Sequence, residues 1–282
     1  MKLGQFGHSH SRVVLAFVLA TLVGACAPWT LNPAPDQEAP PPEVEPMGVQ
    51  TSAAQSDATV VRVHFDVLRV DLPIESTRHS LKVWNHLDES QSAPGRVALL
   101  ARNGIRVGVA DGSAWPALRA IFEANNARTV RRQDTVGDGL PRFFELGRVA
   151  EGDTYFVHTQ RGALEGGTFA AGVKRLRIDY AIKEDAPQTV VVRVTPEFYE
   201  DEAQEKWVES GGEVVAVRDH GGVVFDELSA TATLQPGQFL VIGGSERANR
   251  GLLVGSWWFN STLDMRGYET LVCITPKVVR IG

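Results

Sequence analysis

Gln235-Pro-Gly-Gln-Phe-Leu-Val-Ile-Gly-Gly244 decides the fold, together with Glu269-Thr-Leu-Val-Cys-Ile-Thr-Pro-Lys-Val-Val-Arg280 further along the chain. Pro236-Gly237 is a turn signal: Pro presets φ for the first central position and Gly supplies the positive φ of the second. Phe239–Ile242 is apolar at every position and leaves through Gly243-Gly244. A short unbroken apolar run between turn residues reads as a strand. Leu271–Ile274, followed by Thr275-Pro276 and Lys277-Val-Val279, reads as the closing strand. Val191-Val-Arg-Val-Thr-Pro196 is an earlier apolar strand that ends in proline.

Outward from these runs, residues 137–282 read as a β-rich domain. Candidate strands include Arg142–Val149, Thr154–Gln160, Val173–Ile182, Thr189–Phe198, Glu213–Arg218, Gly222–Leu228, Ala230–Leu234, Leu252–Phe259 and Thr270–Ile281. Gly137-Asp-Gly139, Gly166-Gly167, Gly211-Gly212 and Gly221-Gly222 punctuate them as turns. In Val173–Ile182, Val173, Arg175, Arg177 and Asp179 alternate with Lys174, Leu176, Ile178, Tyr180 and Ile182. Apart from Lys174 the second set is apolar, so one face is wet and the other buried.

Residues 59–136 read differently. Val61, Val63, Phe65 and Val67 alternate, then Leu68, Val70 and Leu72 take the other phase, which predicts a strand with a bulge near Val67–Leu68. A helix is predicted from Ser76 to about Asp88. Val97–Arg102 and Ile105–Ala110 read as a hairpin joined by Asn103-Gly104, a dipeptide suited to a type I′ turn. Asp111 or Ser113 is then expected to cap a second helix ending near Asn125-Asn126. The expected fold class is α+β: an N-terminal βαββα module with both helices on one face of its sheet, followed by the β-rich domain.

The chain's first residues set its expected address. Lys2 and Arg12 flank a region without acids, and Val13–Val23 is almost wholly apolar. That is too short to span a bilayer and has the layout of a secretory signal. It ends Leu22-Val-Gly-Ala-Cys26, which resembles the lipobox of bacterial lipoproteins. The resemblance implies signal removal from 1–26, lipidation of Cys26 and, because position 27 is Ala, sorting to the outer membrane. The implied location is lipid-anchored and facing the periplasm. Residues 27–58 hold seven of the fifteen prolines and read as a disordered, Pro-rich tether. With Cys26 acylated, Cys273 has no partner for a disulfide. The net charge of −6 at pH 7 argues against nucleic acid as a partner.

No catalytic or metal constellation stands out. His64, His79, His86, His158 and His220 are scattered, with no paired zinc-helix spacing, and no nucleophile elbow is present. Gly166–Gly172 lacks the lysine of a phosphate loop. Glu197, Glu200, Asp201, Glu202 and Glu205 read as a solvated face. Trp257-Trp258 reads as one core and one outward aromatic on a strand. No catalytic residue, metal or cofactor is expected.

In order, Val191–Pro196, Leu234–Gly244 and Leu271–Val279 resemble the closing part of a bacterial secretin, the family of ring-forming channels in secretion and pilus machines. The residues that carry the resemblance are Pro236, Gly237, Ile242, Gly243, Gly244, Ile274, Thr275 and Pro276. The βαββα order of 59–136 resembles the ring-building modules that precede the channel domain. The resemblance implies a non-enzymatic, membrane-anchored component of an envelope apparatus, partnered by copies of itself or by secretion-system proteins. It also implies that Gln238–Ile242 and Thr270–Val279 pair in one sheet. The family's loop prolines and acid are missing between Gly244 and Glu269, which favours an alternative: a monomeric binding or scaffold lipoprotein with a secretin-type β-domain and no channel.

Overall fold

A strand that is apolar throughout needs cover on both faces, whereas an alternating strand needs it on one. That difference sorts this chain into layers. The structure is a computed structural model describing residues 60–74, 77–137, 139–210, 213–245, 251–263 and 265–281. Cys26 and the stretch 27–58 lie outside the described residues. The first elements are β1 (Val60–Pro73), α1 (Thr77–Trp84), α2 (Pro94–Arg102), β2 (Ile105–Asp111), α3 (Trp115–Ala124) and β3 (Arg128–Val136). Then come β4 (Arg142–Val149), β5 (Thr154–His158), β6 (Leu164–Thr168), β7 (Gly172–Lys183), β8 (Ala186–Ser210) and β9 (Glu213–Val224). The chain closes with β10 (Ala230–Leu234), β11 (Gln238–Gly244), α4 (Val254–Phe259), β12 (Asn260–Leu263) and β13 (Arg266–Ile281).

Among the described residues three antiparallel sheets form, two large ones and the two-stranded pair β5-β6. The first has six strands in the order β2-β11-β13-β1-β3, with β12 on β13. The second has five, β10-β8-β7-β4, with β9 on β8. Their inner faces meet on Val63, Phe65, Leu240, Ile242 and Ile274 from one sheet and Leu176, Ile178, Val192 and Val194 from the other. The outer face of the first sheet packs Val70, Leu72, Phe239, Val241, Leu271 and Cys273 against Trp84, Leu118 and Phe122 of α1 and α3. Phe239–Ile242 and Leu271–Ile274 therefore sit in the middle layer of three. That is why neither run alternates. β1 and β3 come from the segment 59–136, β11 and β13 from 137–282, and all four share this sheet.

The expected α+β class with a βαββα module is overturned. Of the described residues, 60% are strand and 19% helix, and residues 60–136 run β-α-α-β-α-β. The error lies at Asn103-Gly104. Val97–Arg102 belongs to helix α2, opened by Pro94 in its first turn. Asn103 has φ −86° and Gly104 φ +78°, which is a helix stop and not the double positive φ of a type I′ turn. Asn-Gly signals both, and only the helix formers Ala98, Leu99, Leu100 and Ala101 before it discriminate. The expected bulge at Val67–Leu68 is also absent. β1 keeps unbroken register with β13 from Val60 to Pro73. Its apolar phase changes because its first half is buried by the second sheet and its second half by the helices. Neither Asp111 nor Ser113 caps α3, which follows a short 3-10 turn. Asn126, with φ +50°, does mark its end.

The Asn103-Gly104 corner joins three segments. Asn103 is fully buried. Its Nδ2 donates to the oxygens of Leu99 (3.0 Å) and His158 (2.9 Å), and its Oδ1 accepts from the His158 N–H (2.7 Å). The Asn103 carbonyl accepts from Gly255 and that of Gly104 from Ser245. Asn103→Ala strands the His158 groups at a half-buried site and is expected to cost about 2 kcal/mol, read as a shift of the urea midpoint at unchanged slope.

Candidate functional site

Gln235 to Gln238 form a β-turn closed by the Gln238 N–H donating to the Gln235 oxygen at 3.0 Å. Gly237 has φ +86°, so the turn is of type II with Pro236 at its first central position. The turn carries the chain from β10 in the second sheet to β11 in the first. Leu240, Val241, Ile242 and Gly243 then lie opposite Ile274, Cys273, Val272 and Leu271. The two tail segments are thus immediate neighbours. Gly243 has a steric reason: a Cβ there would come 2.4 Å from Leu271 Cδ2 and 3.5 Å from Trp84 Cζ2. Gly244 ends β11 opposite Ile105. Thr275 lies opposite Asp66, and Pro276 opposite Phe65 of β1. On the β11 side, pairing of β13 stops at Ile274, so Pro276 interrupts nothing there.

The segment between the two tail strands does not form the expected strand Leu252–Phe259. Residues 254–259 are the short helix α4. Trp258 is buried and its Nε1 donates to the Arg175 oxygen (3.1 Å). Trp257 is half-buried and donates to the Thr154 oxygen (2.9 Å). Neither tryptophan faces outward from a strand. Lys174, the polar residue in the apolar phase of β7, donates from Nζ to the oxygens of Trp257 and Asn260 and so holds the end of α4.

A second feature is the β8–β9 hairpin. Pairing of β7 with β8 ends at Gly172 opposite Glu200, while β8–β9 pairing continues to Ser210 opposite Glu213. Residues 203–210 and 213–220 pair only with each other and form a two-stranded arm. Trp207 is 66% exposed and Val214 65%. Trp207 lies opposite Ala216 and Glu209 opposite Val214, so these two apolar residues share one face of the arm. Gly221-Gly222 lies inside β9 at the irregular register where the arm begins, not at a turn. A Cβ on Gly222 would lie 2.2 Å from the Phe198 oxygen. The acidic cluster is not wholly solvated either: Glu197 is buried and paired with Arg175, whose guanidinium lies between the rings of Phe143 and Tyr199.

The titratable groups form no metal cluster among the described residues. His64 Nδ1 bonds Thr135 Oγ1 at 2.9 Å. Burial pushes the Cys273 thiol up to about 12, so it is an inert core group. Burial, reinforced by Arg69 and opposed by Asp71, lowers the Lys174 ammonium from 10.5 to about 8. Between these values the unfolded chain binds the proton more strongly, so Lys174 makes stability rise with pH across the window. The contribution is roughly 3 kcal/mol in all. Cys273 acts in the opposite sense from 9.0 to about 12. In denaturant titrations the wild type is expected to gain stability from about pH 8 to 9 and to level off above 9.0, where Cys273 offsets Lys174; Lys174→Met, which leaves Cys273 in place, is expected to lose that gain and to fall in stability above pH 9.

No family model matches the chain, and no curated protein matches it. Among solved structures it is similar to the secretin-domain β-barrel of InvG from the Salmonella SPI-1 injectisome, with 12% identity and TM-score 0.24, over 80% of this chain and 64% of that one. It is also similar to Aeromonas hydrophila ExeD, with 13% identity and TM-score 0.20, over 79% of this chain and 48% of that one. The chain spans less than two thirds of either. At these scores the overlap carries no argument about fold or function.

Proposed function

We propose that this chain is a secretin-like, non-enzymatic lipoprotein of a bacterial envelope secretion or pilus-type apparatus, tethered through Cys26 and residues 27–58. The observation that carries the reading is the pairing of Leu240–Gly243 with Leu271–Ile274, which sets the two secretin-like tail segments side by side in one sheet. The β8–β9 arm supplies exposed strand and an exposed Trp207 for contact with copies of the chain or with apparatus proteins. The lipidated full-length protein, extracted in detergent and weighed by light scattering, tests this. A discrete multimer that dissociates when the arm is shortened supports assembly. A strict monomer at every concentration rules assembly out.

A second reading is a monomeric envelope scaffold with the same β-domain and no channel. It is favoured by one observation: the segment joining the tail strands is folded inward, with Trp258 and Phe259 buried. A monomer without conductance in planar bilayers would support it.

A further inference from the structure

At one end of the sandwich the inner faces do not meet on apolar side chains. Arg69 and Asp71 of β1 and Lys174 of β7 face a cleft of about 580 Å³, which Arg128 of β3, Arg148 of β4 and the α4–β12 segment also border. The β-bulge between Glu145 and Gly147 makes the room: a Cβ on Gly147 would stand 3.2 Å from Lys174 Cε.

The charges on this wall do not balance. Among the described residues Asp71 is the one carboxylate that lines it. It already accepts from Arg69 Nε at 2.9 Å and from Thr270 Oγ1 at 2.6 Å. Arg148 is paired with Asp201. Two cations are left over. Lys174 is 6% exposed, and its ammonium meets only neutral main-chain oxygens of Trp257 and Asn260. Two of its three donors are thereby used. Arg128 lies directly opposite Asp71 in the β1–β3 register, and its guanidinium has no hydrogen-bond or ion-pair partner among the described residues. A buried ammonium compensated only in part, by an Asp71 that is already paired with Arg69, is costly, and an apolar residue would close this end as apolar residues close the rest. Lys174 and a free Arg128 lining one cleft, on a wall that also offers the hydroxyls of Ser261, Thr262 and Tyr268, make a receptor for a doubly charged oxyanion.

We propose that this cleft binds a phosphate monoester dianion, with Arg128 and Lys174 as its charged contacts. The volume is that of a small-molecule site, with room for an organic group against Trp257 and Leu146. The phosphate belongs either to a soluble phosphomonoester or to a lipid headgroup. This site lies on the sheet that holds β11 and β13 but uses none of the paired residues Leu240–Gly243 and Leu271–Ile274, and it does not depend on the assembly reading.

The full-length protein is titrated by calorimetry with glycerol phosphate, with inorganic phosphate and with vesicles containing phosphatidic acid. Arg128→Ala serves as the variant, because Arg128 is exposed and unbonded and its loss leaves the fold intact. Binding of at least one phosphate probe is expected, weakened about tenfold or more in Arg128→Ala at unchanged melting temperature. Near pH 8, binding is expected to take up a proton, because the anion raises Lys174 against the lowering effects of burial and Arg69; Asp71, Arg128, Arg148 and Tyr268 also face the cleft. Binding of glycerol phosphate alone identifies a soluble ligand, and binding of the vesicles alone a headgroup. The proposal is overturned if no phosphate probe binds, if Arg128→Ala binds as well as the wild type, or if a dicarboxylate such as succinate binds and phosphate does not.

Discussion

Trp258→Ala is expected to destabilise the protein by about 3–5 kcal/mol, the range for truncating a fully buried aromatic. Trp258 is 1% exposed, sits edge to face with Phe225 at 5.2 Å between centroids, and lies 6.0 Å from Phe169. Its removal opens a void between the two sheets and leaves the Arg175 oxygen without its indole donor. The cost therefore combines lost transfer energy, a cavity and an orphaned acceptor. Trp258→Phe separates these parts: it keeps most of the ring contacts and loses the N–H, at about 1–2 kcal/mol. Urea midpoints of the two variants and of Trp257→Ala, whose ring is half-buried, check the ranking. Equal losses for Trp257→Ala and Trp258→Ala would mean that α4 does not pack as described.

Gly255→Ala is the second large effect, expected at about 3 kcal/mol. A Cβ at Gly255 would lie 2.3 Å from the Gly104 oxygen, 2.4 Å from the Gly104 carbonyl carbon and 2.5 Å from the Asn103 oxygen. All three are backbone atoms at a helix stop, so no side chain can rotate away. The alternative is for α4 to lift off, which breaks the Gly255 N–H to Asn103 oxygen bond of 2.8 Å and loosens Trp258 and Phe259 behind it. Gly95→Ala is the matched control. Nothing lies within 4 Å of a Cβ there, and Gly95 is inside helix α2. That change is expected to stabilise by about 0.5–1 kcal/mol through the unfolded chain.

The strands were more legible than the class. Phe239–Ile242 and Leu271–Ile274 announce themselves because strands covered on both faces carry no polar phase. Pro236-Gly237 was readable as a turn for the same local reason, φ restriction at one residue and φ freedom at the next. Misreadings arose where one local signal serves two structures. Asn103-Gly104 ends a helix as readily as it turns a hairpin, and Leu252–Phe259 has a strand-like composition, yet 254–259 form a helix turn whose two indoles donate to Thr154 and Arg175 and whose Trp257 oxygen accepts from Lys174. β1 was legible as a strand, but its change of phase reports a change of neighbour and not a bulge, which depends on layers formed by distant segments. Of the candidate cleft, the one visible trace was Lys174 in the apolar phase of its strand. Its companions Arg69, Asp71 and Arg128 look like ordinary wet-face residues until β1, β3 and β7 are brought together.

The secretin-like reading rests on β11 lying beside β13 in one register, and the native Cys273 allows that to be measured. Val241 is directly opposite Cys273, and both side chains point into the layer under α1 and α3. Directly opposed residues in an antiparallel pair have Cα atoms about 4.5–5.5 Å apart, within disulfide range. In a chain carrying Cys26→Ser, Val241→Cys is predicted to give a peptide joined between positions 241 and 273 when the reduced, denatured protein is refolded in a glutathione redox buffer, where the otherwise buried Cys273 thiol is accessible. Ile242→Cys, one residue along and facing the other sheet, is predicted to give none. No linkage from position 241, or equal linkage from both, would contradict the pairing and remove the ground for the proposed function.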